Sequence, residues 1–116
     1  MQVAIHNYRT DLAEACKSYV ERRLQFALNR FGQRVGRVIV RLCPDGPAGN
    51  RCSINVNVRP FGLITVEESD SDLFAAIDRA TGKIGHLLGR ELERVQGGKV
   101  GRESVRLGPH VDAFQD

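Results

Sequence analysis

Apolar residues fall along this chain in two periodicities, and the change from one to the other marks the elements. Residues 2–6 alternate, with Val3 and Ile5 on one face, and predict a short strand. Asp11-Leu12-Ala13-Glu14 has the form of a capping box, which predicts a helix start. Ala13, Cys16, Val20, Leu24, Ala27, Leu28 and Phe31 then recur at three- and four-residue spacing, a stripe of about five turns. Gly32 stands where a left-handed helix terminus is expected. Val38, Val40 and Leu42 share a strand face opposite Arg37, Ile39 and Arg41, and residues 43–50 read as a loop by composition. The clearest alternation follows: Cys52, Ile54, Val56 and Val58 inward, Ser53, Asn55, Asn57 and Arg59 outward. Such a strand belongs to a sheet covered on one side only. Pro60-Phe61-Gly62 predicts a turn, and residues 63–68 the last strand.

A second helix is expected from Asp70-Ser71-Asp72, where carboxylates meet the positive end of the helix dipole. Its core stripe is Leu73, Ile77, Ala80, Ile84, Leu87, Leu88 and Leu92. After Arg94 the period is lost. The order is β-α-β-β-β-α in an α+β domain over residues 1–95, followed by a flexible tail, 96–116. Two apolar helix stripes and one apolar sheet face predict a four-stranded sheet with both helices packed on that face. The first strand–helix–strand unit should join parallel strands by a right-handed crossover.

Composition narrows the class. A chain of 116 residues has room for one domain, and 41% apolar against 27% charged is ordinary for a folded soluble protein. There is no apolar stretch of membrane-spanning length and no signal-peptide pattern at the N-terminus, so the expected compartment is the cytoplasm. Cys16, Cys43 and Cys52 form no CxxC pair, and with His6, His86 and His110 they give no metal-ligand spacing. No cofactor, metal or small-molecule substrate is expected. The charge is uneven: residues 1–66 carry ten Lys/Arg against four Asp/Glu, and residues 67–95 four against seven. A basic first half suits a polyanionic partner.

The candidate chemistry lies on the helices. At 100° per residue, Arg79, Lys83, His86, Arg90 and Arg94 form one band beside the core stripe of the second helix. Tyr19, Arg22, Arg23, Phe26 and Arg30 form a comparable band on the first. Arginines interleaved with aromatics pair with phosphate and stack on bases. The plainer alternative packs Tyr19 and Phe26 at the core edge and leaves the arginines to solvent; both bands lining one groove would favour RNA. Gly82, Gly85 and Gly89 project almost opposite the core, each costing about 1 kcal/mol relative to alanine. They are expected to form a smooth outer strip that RNA backbone or a protein partner can approach. The acidic run at residues 67–72 lacks calcium-loop spacing and is read as helix capping. Gly97-Gly98-Lys99-Val100-Gly101-Arg102 follows a helix and is no phosphate loop, and no catalytic set is present, so an enzyme is not expected.

The run Thr65-Val66-Glu67-Glu68-Ser69-Asp70-Ser71-Asp72-Leu73-Phe74-Ala75-Ala76-Ile77-Asp78, with Lys83 and Leu88 beyond it, resembles the second-helix motif of the ribosome hibernation promoting factor family, which includes ribosome-associated inhibitor A and the sigma-54 modulation proteins. Ala15-Cys16-Lys17-Ser18-Tyr19-Val20-Glu21-Arg22-Arg23-Leu24 is similar to that family's first-helix motif. The resemblance covers about residues 1–95 and corresponds to the short form. It implies a β-α-β-β-β-α domain that binds small-subunit rRNA in the tRNA–mRNA channel of idle ribosomes and silences them. By position it implicates Lys17, Arg22, Arg23, Lys83 and Arg90, while Gly85, His86 and Gly89 stand where the family often carries charge. The full set of expected RNA contacts is Lys17, Arg22, Arg23, Arg30, Arg79, Lys83, His86 and Arg90. The competing expectation is a protein-interaction module that docks a partner through the glycine-lined face of the second helix.

Overall fold

The computed structural model describes residues 1–96. Strand β1 (Gln2–Asn7) leads through a 3-10 turn at Thr10–Leu12 into helix α1 (Ala13–Leu28). A second 3-10 segment, Asn29–Arg34, precedes β2 (Val35–Asp45), β3 (Gly49–Val58), β4 (Gly62–Asp70) and helix α2 (Leu73–Gln96). The sheet order is β1-β2-β3-β4, with β1 parallel to β2 and the other pairs antiparallel. The β-α-β-β-β-α order and the parallel first pair are those expected from the apolar pattern. The expected tail lies outside the described residues.

One sheet face is the core. Val38, Val40 and Leu42 of β2, Cys52, Ile54, Val56 and Val58 of β3, and Ile64 and Val66 of β4 are all buried. A register irregularity between Val35 and Val38 lets both face inward despite their odd spacing. From above, Cys16, Val20, Leu24 and Leu28 of α1 and Leu73, Ile77, Ala80, Ile84, Leu88 and Leu92 of α2 join the same cluster. Ala13, placed in the core stripe by periodicity, is exposed as the first residue of α1. The opposite sheet face keeps Arg37, Arg41, Asn55 and Asn57 at the surface or only half-buried.

Three local expectations change. The capping box does not form: no side chain caps α1, and Asp11 pairs with Arg9 at 2.8 Å. The loop expected at residues 43–50 is a tight hairpin, with Asp45 opposite Gly49 and Pro44 opposite Asn50. Proline, which has no N–H to donate, is tolerated in β2 because β1 pairs only as far as Leu42. Gly32 does adopt positive φ (58°), but inside the 3-10 segment and not directly at the end of α1. The second helix starts as expected: Asp72 Oδ1 accepts the Phe74 N–H at 3.0 Å, and Asp70 Oδ1 accepts the Asp72 N–H at 2.9 Å.

Candidate nucleic-acid interface at the helix pair

α1 and α2 lie side by side, and the glycines explain how closely. A methyl group built on buried Gly85 would stand 3.1 Å from the Ala27 Cβ and 3.2 Å from the Ala27 carbonyl oxygen. One built on Gly89 would meet the Arg30 guanidinium at 2.6 Å. These two glycines therefore belong to the seam between the helices, where missing side chains let α1 approach. The expected outer glycine strip is corrected accordingly: only Gly82 is exposed, with nothing within 4 Å of an added methyl. Helical projection set all three almost opposite the core, whereas α1 packs on the side of the helix where Gly85 lies and Gly82 alone is exposed.

A polar cluster closes the seam near the start of α2. The Tyr19 hydroxyl donates to Asp78 Oδ1, and Arg23 Nε stands 3.2 Å from the same oxygen as an ion pair without hydrogen-bond alignment. The bond to Asp78 is the main reason the Tyr19 phenol is held above its ordinary pKa, with burial adding to it. The Tyr19 ring meets Phe74 edge-on at 5.2 Å, and the Arg22 guanidinium lies 5.8 Å from its centroid. Tyr19 thus packs at the core edge, whereas Phe26 does not: it is 81% exposed, with Arg23 over its ring at 5.8 Å.

The basic band of α2 divides between two flanks. On the sheet side, Glu68 of β4 takes Lys83 Nζ at 3.1 Å and Arg79 Nε at 3.4 Å. That carboxylate is only 19% exposed, so one partly buried anion draws two cations toward β4. On the other flank, His86 joins Arg23, Phe26 and Ala27 of α1, Arg30 of the 3-10 segment after it, and Gly82 and Gly85 of α2 around a groove of about 320 Å³. Arg30 is laid across the seam, stacked 4.7 Å from the Phe31 centroid, its Nη2 3.5 Å from the Gly85 carbonyl. Lys17, Arg22 and Arg90 are exposed, and the side chain of Arg94 lies outside those described. Glu68 and Asp78 were not among the expected site residues. Each acts across elements, and a single helical projection carries no such signal.

The core offers no competing chemistry. Burial pushes the Cys52 thiol up to about 12 and raises Cys16 as well, so both stay protonated and unreactive. Among the described residues no cluster of three or more His, Cys, Asp or Glu is placed to hold a metal, and no helix is long and apolar enough to cross a membrane.

A mixed four-stranded sheet under two helices, with Arg23 of α1 and His86 of α2 lining one groove between them, defines an α+β domain of the β-α-β-β-β-α order. The chain belongs to the sigma 54 modulation protein / S30EA ribosomal protein family, whose model matches residues 3–96. Among solved structures it is similar to the N-terminal domain of Thermus thermophilus Protein Y, with 32% identity and a TM-score of 0.65 over 78% of this chain and 98% of that one. A ribosomal subunit interface protein from Coxiella burnetii shares the fold at 15% identity and a TM-score of 0.65, over 78% of this chain and 96% of that one. No curated protein sequence matches the chain significantly.

Proposed function

We propose that this protein is a ribosome-associated hibernation factor, which binds small-subunit rRNA in the tRNA–mRNA channel of idle ribosomes and keeps them silent. Its place of action is the cytoplasm, and its role is non-catalytic. The supporting observation is a shared groove: Arg23 of α1, Arg30 of the 3-10 segment that follows it and His86 of α2 line it, and Arg22 and Arg90 are exposed elsewhere on the two helices. Arginine forks in such an arrangement pair with phosphate. Family membership and the ribosomal subunit interface protein among the structural neighbours support the same reading. The proposed contacts are Lys17, Arg22, Arg23, Arg30, His86 and Arg90, with Arg79 and Lys83 recruited when phosphate displaces Glu68.

Co-sedimentation with purified small subunits across a salt series tests this. Binding should be strong at low salt and weaken steeply as salt rises, because each phosphate contact releases counterions. Absence of binding at low salt would remove the proposal. The rival protein-docking reading loses its glycine-lined face, since Gly85 packs against Ala27 of α1 and Gly89 lies under the Arg30 side chain.

A further inference from the structure

We infer that the α1–α2 groove is a stacking site for one unpaired nucleobase, with the Phe26 ring as its platform. The inference rests on the RNA-binding reading above and names the part of the RNA that this groove takes.

Phe26 is anomalous on a stability argument alone. Burying a phenylalanine ring is worth about 1.5 to 3 kcal/mol, yet this one is 81% exposed on a helix whose core positions are otherwise filled. The surroundings are built to keep it available. Arg23, anchored by Asp78, covers part of the ring as a planar cation. Across the groove, Gly82 presents no side chain and has nothing within 4 Å of an added methyl, which leaves open space on the α2 side of the groove. Arg30 and His86 complete the rim. An aromatic face beside two guanidinium groups matches the two parts of a nucleotide: the base stacks on the ring while its phosphates pair with Arg23 and Arg30.

The same features argue against a protein side chain as the occupant. Protein hot spots join an aromatic anchor to a fully desolvated apolar cluster, and here Phe26 is the only large apolar residue of the groove. Bases inside a duplex are stacked on one another and out of reach, so the site selects loops, bulges and single strands.

The chain contains no tryptophan, so Phe26→Trp places a single fluorescent reporter on the platform. Oligouridylate should quench its emission saturably, and an RNA duplex with the same number of phosphates should not. In the otherwise native protein, Phe26→Leu should weaken binding of labelled oligouridylate by roughly 5- to 100-fold, and Phe26→Tyr should restore it. Duplex affinity should be the same in all three proteins. If Phe26→Leu binds oligouridylate as tightly as the native chain, with a steep salt dependence still present, stacking is overturned and the RNA reading survives. Equal quenching by duplex and single strand also overturns it. If neither RNA binds at low salt, both readings fall together.

Discussion

Alanine at Gly82 and alanine at Gly85 gain the same helix propensity, about 1 kcal/mol over glycine, but they meet different surroundings. At Gly82 the new methyl has open space, so the full gain should appear as a rise of roughly 4 to 8 °C in melting temperature for a domain of this size. At Gly85 it stands 3.1 Å from the Ala27 Cβ and 3.2 Å from a backbone oxygen in the last turn of α1. That oxygen cannot recede unless the helix moves, and both helices are fixed by core side chains beneath them. Overpacking of this kind costs about 1 to 3 kcal/mol, which leaves a net loss of about 1 kcal/mol after the propensity gain. Gly89→Ala is intermediate, because the group it meets is the mobile end of Arg30. Urea unfolding followed by circular dichroism gives the three values under one set of conditions. A Gly85→Ala protein as stabilised as Gly82→Ala would refute the close helix packing on which the groove's geometry depends.

Other outcomes follow from the same contacts. Glu68→Gln releases Arg79 and Lys83 from their shared carboxylate and should raise affinity for small subunits several-fold, measured by filter binding; an unchanged or lower affinity would exclude those two cations from the RNA face. Asp72→Ala removes the side-chain cap on the Phe74 N–H and should cost about 1 kcal/mol in urea unfolding; no loss would mean that water replaces it. Cys52 has its folded pKa raised to about 12 from an ordinary value near 9, so its contribution is complete below pH 9 and is lost as pH rises from 9 toward 12. Cys52→Ala should flatten that alkaline limb of the stability curve, and an unchanged limb would assign it to other groups. With native protein at neutral pH, half-buried Cys43 should react first with a thiol reagent, and Cys16 and Cys52 only on unfolding.

The sheet was legible in the sequence because alternation reports burial directly. Cys52, Ile54, Val56 and Val58 are buried just as their period required. The hairpin at residues 43–50 was hidden, since Pro44, Asp45 and Gly46 signal a loop by composition, and only the early end of β1 makes a proline tolerable in β2. Asp11 had the right spacing for a cap, but Arg9 two residues away holds its carboxylate. The candidate site was half legible. Both basic bands and the aromatic positions follow from helical period, whereas exposure of Phe26, the pull of Glu68 on Arg79 and Lys83, and the burial of Gly85 all depend on where a second element sits. Such facts are tertiary, and periodicity within one helix does not contain them.

The central claim is that the helix pair, and not the open sheet, grips RNA. The slope of log binding constant against log salt for small subunits tests it most directly, compared among three proteins: native, Arg22→Gln/Arg90→Gln on the helices, and Arg37→Gln/Arg41→Gln on the open sheet face. Each lost phosphate contact lowers the magnitude of that slope by about 1. The helix pair of substitutions should lower it by about 2 and weaken binding, and the sheet pair should leave it unchanged. A slope lowered by the sheet substitutions and untouched by the helix ones would contradict the account.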